Sequence, residues 1–201
     1  MKNLLKISIF FISIFAFADP ININYGEIET FVDDKTIRMV VEIPAGSNRK
    51  IEYNYEKNTF EVDLLNQKER VINFLPYPGN YGFIPSTLMD KERGGDGDAL
   101  DILLISESLA TGTIVDVIPI GMLVIEDNNE NDTKIIAIPF EKNFQIINTH
   151  TFDEFKKYHP TSQQIIKLWF LNYKNNNLIK FIKWDNEISA MREIHKWLLP
   201  E

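Results

Sequence analysis

Three aspartates stand within six positions of the sequence, in the stretch GGDGDALDIL at residues 94–103. Asp96, Asp98 and Asp101 are preceded by glycines that let the backbone curl tightly, and an apolar run follows them. Carboxylates this close repel one another, so they must either be widely solvated or share a cation. A solvated acidic turn before a strand is the simpler interpretation, and the triplet alone does not exclude it.

The composition restricts any metal site to oxygen ligands. The chain has no cysteine and three scattered histidines, so thiolate sites and HExxH-type sites are excluded. Carboxylate oxygens favour hard cations such as Mg²⁺, Mn²⁺ or Ca²⁺. An EF-hand loop beginning at Asp96 is also excluded, because its fifth position is Leu100, its sixth is not glycine, and a β-like run follows.

A second acidic segment, residues 126–134, carries Asp127 and Asp132 between two apolar runs and ends at Lys134. We predict a polar loop here. Such a loop is either an ordinary hairpin connection or a second source of metal ligands, and the sequence leaves both interpretations open.

Further polar side chains lie on two predicted strands. Glu42 is on the polar face of the first, and Lys50 and Glu52 share the polar face of the second. This pattern is typical of a solvated sheet face, but the same face lines a cavity if the sheet curls. The irregular segment LPYPGNYGFIP, residues 75–85, carries tyrosines whose hydroxyls either bind an anion or simply pack.

Alternating apolar and polar residues predict strands through most of the chain before residue 150. The predicted strands are 36–43, 50–56, 59–64, 101–105, 114–125 and 134–139. A hairpin-type turn is predicted at 44–48, and Pro119 predicts an edge or bulge within the fifth strand.

Helical patterns appear after residue 150. They predict helices at 151–155 and 162–174, a strand at 178–184, and a last helix from about Asn186. The chain is therefore predicted to be α+β, a β-rich barrel-like body with its helices placed late.

The first 18 residues are predicted to be a signal peptide. They contain two lysines, an apolar run over 7–17 and an Ala-Phe-Ala motif ending at Ala18. The apolar run is too short to span a membrane comfortably, so cleavage after Ala18 is predicted, with residues 19–201 forming one domain. We therefore expect a periplasmic or secreted protein that is not attached to a membrane after cleavage.

The chain has 201 residues and a net charge of −8, with no run of lysines and arginines. The length suits one domain with a sizeable core. The charge argues against nucleic acid as a partner.

Several motifs in order make the sequence resemble the soluble family I inorganic pyrophosphatases. The motifs are EIPAGSNRKIEY (42–53), YPGNYGFIP (77–85), DGDALDIL (96–103), IGML…D…DTKIIAIP (120–139) and WFLNYK (169–174). The combination is specific, whereas the aspartate triplet alone is not. The resemblance implies an OB-like five-stranded β-barrel core with flanking helices, mostly in the C-terminal part. It also implies hydrolysis of pyrophosphate to two orthophosphates with several Mg²⁺ ions, by a homo-oligomer.

The resemblance also implies roles for individual residues. Asp98 would orient or deprotonate the attacking water. Six carboxylates would bind metal ions, the two glutamates in an outer or substrate-borne shell: Asp96, Asp101, Asp127, Asp132, Glu42 and Glu52. Five side chains would hold the phosphates: Lys50, Tyr81, Lys134, Tyr173 and Lys174.

One position departs from the family pattern, in which an arginine directly follows an aspartate soon after the third strand. Here Asp63 is followed by Leu64, and the nearest arginine is Arg70, after the apparent insertion LNQKE. Arg70 keeps roughly the expected distance to Tyr77, so the phosphate-binding role is carried over to it.

Two other functions remain open at this point. The protein could hydrolyse other small phosphoanhydrides outside the cytoplasm, although no nucleoside pocket is apparent. It could instead be a non-catalytic module that binds divalent cations or phosphate on the same fold. Asp98 argues against the latter, because a binding module needs no base beside its metal ligands.

Overall fold

The computed structural model describes residues 23–174 and 178–200. The predicted signal peptide, residues 1–18, lies outside the described residues. Within the described ranges, no helix is both long and apolar enough to cross a membrane.

The described residues form ten β-strands and three α-helices. The strands are β1 (Ile37–Ile43), β2 (Ile51–Asn54), β3 (Thr59–Val62), β4 (Leu64–Leu65), β5 (Lys68–Glu69), β6 (Asn80–Phe83), β7 (Asp101–Leu104), β8 (Ile114–Asp127), β9 (Glu130–Pro139) and β10 (Ile179–Asn186). The helices are α1 (Phe152–Tyr158), α2 (Pro160–Asn172) and α3 (Glu187–Trp197).

Five strands close into a ring. Strand β1 pairs with β6 on one side and with β8 on the other, and β7 and β9 complete the circuit between β6 and β8. All of these pairings are antiparallel except that of β7 with β9. Closure leaves no unpaired edge in the ring, and it confirms the predicted five-stranded barrel with its α-helices late in the chain.

Strand β8 bends so that it pairs with strands of the ring and also with an outer strand, β10. Its first part pairs with β1, and its second part pairs with β10. The register against β9 shifts between Pro119 and Gly121, which is the irregularity predicted at Pro119.

Strands β7 and β9 are buried on both faces, which explains their continuous apolar runs. On one face, Ile102 and Ile135 pack in a core with Ile194 and Trp197 of α3. On the other, Leu103 and Ile136 pack with Phe155, Trp169 and Phe170 of α1 and α2. The helices therefore cover the ring and complete its two apolar layers.

The turn at 44–48 does not join a hairpin, so that part of the prediction is wrong. Strand β2 pairs with β3 in a separate two-stranded sheet, whereas β1 belongs to the ring. Contacts with a distant segment hold the turn: Ala45 N donates to Asn80 Oδ1 over 3.0 Å, and Gly46 N donates to Tyr77 O over 3.0 Å.

The predicted polar loop at 126–134 is also wrong. Asp127 ends β8 and Asp132 lies inside β9, and a two-residue turn of Asn128 and Asn129 connects the strands. Both asparagines have positive φ angles, 51° and 68°, a conformation that asparagine tolerates in tight hairpins. The segment resembles a loop because five of its polar residues line a polar cavity instead of an apolar core: Asp127, Asn128, Glu130, Asp132 and Lys134.

We predict that Gly82→Ala destabilises the protein by at least about 3 kcal/mol, because overpacking against backbone is not relieved by side-chain movement. A Cβ at Gly82 would lie 1.9 Å from the carbonyl oxygen of Val40 in the paired strand. Urea unfolding monitored by circular dichroism measures the change.

The matched control is Gly46→Ala. A Cβ there meets nothing within 4 Å, and only the positive φ of 84° opposes it. We expect a loss of about 1 kcal/mol from that conformation. Equal losses for the two variants would contradict the steric explanation.

Candidate active site

A cavity of about 450 Å³ opens beside the ring. The β2–β3 sheet, the loop before β7, the tip of the β8–β9 hairpin and the end of α2 surround it. All thirteen side chains singled out in the sequence line this one cavity: Glu42, Lys50, Glu52, Arg70, Tyr81, Asp96, Asp98, Asp101, Asp127, Asp132, Lys134, Tyr173 and Lys174.

The wall formed by β7 and β9 places one lysine between two carboxylates. Asp101 and Lys134 are neighbours in the parallel register, and Asp132 lies two residues before Lys134 on the same face. The Lys134 ammonium donates to both carboxylates and is only 4% exposed. Burial opposes its charge, but Asp101 and Asp132 outweigh that cost and raise the pKa of Lys134 well above its usual value.

The loop before β7 is held mainly by its backbone. Gly97 N donates to Met89 O, and Met89 N donates to Asp98 O, each over 2.7 Å. Gly95 passes so close to Met89 that a Cβ would lie 2.3 Å from its carbonyl oxygen. This anchoring directs the carboxylates of Asp96 and Asp98 towards the cavity.

The loop carboxylates are harder to ionise than ordinary aspartates. Desolvation, together with the charges of Asp101 and Asp132, raises the pKa of Asp96 to about 6 against a backbone hydrogen bond. Desolvation and the nearby charges of Asp101 and Glu52 also raise the pKa of Asp98. Both groups therefore hold protons at a higher pH than an isolated aspartate does.

Strands β1 and β2 supply the opposite wall. Glu42 Oε1 accepts a hydrogen bond from Tyr53 N over 2.8 Å, and Lys50 is paired with Glu52. Burial, reinforced by Asp101 and Glu52, raises the pKa of Glu42 to about 8. The polar faces of β1 and of the β2–β3 sheet thus line a cavity, which is the alternative predicted for the polar residues of these strands.

The rim joins the hairpin tip to the end of α2. Lys174 is paired with Asp127, and the Tyr173 ring is stacked on Trp169 with their centroids 4.9 Å apart. Trp169 Nε1 donates to Leu75 O over 2.8 Å, which ties α2 to the irregular segment. The predicted helix end therefore delivers both side chains to the cavity.

Ten lining residues were not among the predicted site residues, and four of them are taken up here: Tyr55, Tyr77, Asn128 and Glu130. Glu130 has a detectable signal, because in a strand it shares a face with Asp132 two residues later. Tyr77 packs against Trp169 at 4.4 Å between centroids, a contact that no local pattern predicts. Tyr55 falls within the predicted strand 50–56, but β2 ends at Asn54, so strand alternation does not determine which way its side chain faces.

The cavity carries an excess of negative charge. Eight carboxylates line it against four cationic side chains, which leaves four formal negative charges when all are ionised. Within the described ranges, no three acidic or histidine side chains converge into a ready metal cage. The donor set nevertheless fits hard divalent cations, because it is made of oxygen ligands with uncompensated charge. The interspersed lysines suit an anion bound together with such cations.

Comparison with known proteins agrees with this chemistry. The sequence model of the inorganic pyrophosphatase family matches residues 39–199. The inorganic pyrophosphatase of Saccharolobus solfataricus is 35% identical over 167 residues, covering 80% of this chain and 88% of the relative. That of Aquifex pyrophilus is 36% identical over 167 residues, covering 80% and 86% of the two chains.

Solved structures give the same result. The inorganic pyrophosphatase of Thermus thermophilus superposes with a TM-score of 0.74 at 29% identity, covering 86% of this chain and 95% of the other. The enzyme of Neisseria gonorrhoeae gives a TM-score of 0.72 at 31% identity, covering 86% and 96%.

We predict that the metal-free protein loses stability as the pH rises from about 5 towards 8. Folded Glu42 titrates at about 8 instead of 4.5, so the folded state binds more protons than the unfolded state in this interval. The free energy of unfolding then falls with pH, by at most about 1.4 kcal/mol per pH unit. Urea titrations in the presence of a chelator measure this slope.

Glu42→Gln should flatten the slope, because the amide cannot ionise. Glu126→Gln is the matched control, since Glu126 on β8 is paired with Lys180 on β10 and does not line the cavity. A Glu42→Gln protein with the wild-type slope would contradict this assignment.

Proposed function

The chain belongs to the inorganic pyrophosphatase family, and on this premise we propose that it hydrolyses pyrophosphate to two orthophosphates with the help of Mg²⁺. The observation that carries the proposal is the convergence of carboxylates and cationic side chains on one cavity. Its volume of about 450 Å³ lies within the range of small-molecule sites, and its charged lining suits a highly charged substrate.

The cationic side chains bind the anion in this proposal. Lys50, Arg70, Lys134 and Lys174 donate charge-assisted hydrogen bonds to phosphoryl oxygens and stabilise the charge that develops on the leaving phosphate. Tyr81 adds a neutral donor, because burial and nearby carboxylates raise its pKa well above the usual value and keep its hydroxyl protonated.

The aspartates hold the cations in this proposal. Asp96, Asp101, Asp127 and Asp132 are the direct ligands, with Glu42 and Glu52 in an outer or substrate-borne shell. When bound, Mg²⁺ neutralises the substrate's charge and lowers the pKa of a bound water.

Asp98 acts on the attacking water. It accepts a proton while the water oxygen attacks one phosphorus, the bridging P–O bond breaks, and orthophosphate leaves. The raised pKa of Asp98 supports this role, because a base is more effective when its pKa lies closer to the working pH.

We predict Mg²⁺-dependent release of phosphate from pyrophosphate, with much slower release from ATP and tripolyphosphate. Asp98→Asn should lower kcat by about 10²–10⁴-fold, the usual contribution of a general base. Colorimetric phosphate release measures both, and calorimetric titration with Mg²⁺ should show that the variant still binds the metal.

Asp34→Asn is the matched control, because this exposed aspartate does not line the cavity. A folded protein that releases no phosphate from pyrophosphate at any Mg²⁺ concentration would refute the proposal. Comparable rates on ATP or tripolyphosphate would favour the broader phosphoanhydride hydrolase. An inactive protein that binds Mg²⁺ and phosphate would favour the binding module.

We also propose that residues 1–18 direct export to a periplasm or the cell exterior, where the protein acts as a homo-oligomer. Two lysines, a short apolar run and the Ala-Phe-Ala motif support the export signal. Expressed as the full chain in a Gram-negative host, the periplasmic protein should begin at Asp19 by intact mass. Ala18→Arg should block this cleavage, and a full-length cytoplasmic product from the unaltered chain would refute export.

A further inference from the structure

Arg70 reaches the cavity at the end of a short excursion of the chain. Strands β4 and β5 pair with each other, and Asn66 and Gln67 form the turn between them with φ angles of 53° and 64°. At the base of this hairpin, Arg70 N donates to Asp63 O over 2.7 Å. The six residues between Asp63 and Arg70 thus form a hairpin whose two ends are adjacent.

The backbone of Lys50 lies against both ends of the excursion. Asp63 N donates to Lys50 O over 2.8 Å, and Lys50 N donates to Arg70 O over 3.0 Å. The next residues continue this ladder, because Arg49 and Val71 form an isolated bridge. The ladder therefore fixes the backbones of two cationic cavity residues, Lys50 and Arg70, beside one another.

Backbone contacts do not fix the end of an arginine side chain. Here Asp63 Oδ2 accepts a hydrogen bond from the Arg70 guanidinium over 2.9 Å, and each side chain is only about a quarter exposed. Asp63 is not among the cavity-lining residues, whereas Arg70 is. A guanidinium has five N–H donors in a fixed fork, so one can engage Asp63 while others face an anion.

We propose that Asp63 is a positioning residue that orients the Arg70 guanidinium towards the phosphate. The inference rests on the proposed function, because it assigns Arg70 a phosphate group to bind. Asp63 acts through Arg70 and does not touch the substrate. Its carboxylate restricts the Arg70 side chain before phosphate binds, so that less conformational entropy is lost on binding.

A double-mutant cycle tests the inference with Asp63→Asn, Arg70→Ala and the double variant. Two quantities are measured for each protein: kcat and KM for pyrophosphate, and the dissociation constant for inorganic phosphate by calorimetry. We expect Arg70→Ala to raise KM and the dissociation constant at least about tenfold, the usual effect of losing a charged hydrogen bond. Asp63→Asn should raise both at least about threefold, with little change in kcat.

Two further results are expected if Asp63 acts through Arg70. The double variant should bind no more weakly than Arg70→Ala alone, since no guanidinium remains to be positioned. Asp63→Glu, which keeps the carboxylate, should recover most of the lost affinity. Asp116→Asn is the matched control, because Asp116 pairs with Arg38 over 3.8 Å and neither residue lines the cavity.

Three outcomes would overturn the inference: wild-type affinity in Asp63→Asn, effects that multiply in the double variant, or a fall in kcat with KM unchanged. The phosphate measurement separates this failure from failure of the proposed function. Coupling between the variants without any turnover of pyrophosphate would refute only the hydrolysis. Turnover of pyrophosphate without coupling between the variants would refute only the role of Asp63. A wild-type protein that neither binds phosphate nor hydrolyses pyrophosphate would refute both the role of Asp63 and the proposed function.

Discussion

The buried ammonium of Lys134, held between Asp101 and Asp132, is the interaction on which the cavity depends. A charge this deeply buried is tolerated only with partners, and these partners come from two strands that are distant in sequence. They meet because the ring closes with β7 parallel to β9, which brings Asp101 into register with Lys134. Ring closure and charge pairing therefore support one another.

The other charged side chains of the cavity do not balance one another in the way that Lys134 and its two carboxylates do. The carboxylates outnumber the cations two to one, and desolvation, reinforced by repulsion between carboxylates, raises the pKa values of Glu42 and Asp96. Such an arrangement costs stability in the isolated chain, and the covered apolar layers on both faces of β7 and β9 must offset it. Strain of this kind is expected where a site is built to receive cations and an anion together.

Elements whose partners lie nearby in sequence could be predicted well. The strand and helix periods, the irregularity at Pro119 and the start of α1 close to residue 151 all follow from local patterns. The errors fall where distant contacts decide. Strand β1 pairs around the ring instead of with β2, and the polar stretch containing Asp132 is a strand because a polar cavity faces it.

The cavity could be anticipated from ordered motifs, but its electrostatic organisation could not. Lys50, Lys134 and Lys174 are each paired with a carboxylate that also lines the cavity. In the proposed mechanism, cation binding and anion binding would draw on the same charge pairs at these lysines, so the two would be linked. Arg70 differs because its partner, Asp63, stands outside the cavity. Its positive charge is therefore available to an anion without competing for a carboxylate that a metal would use.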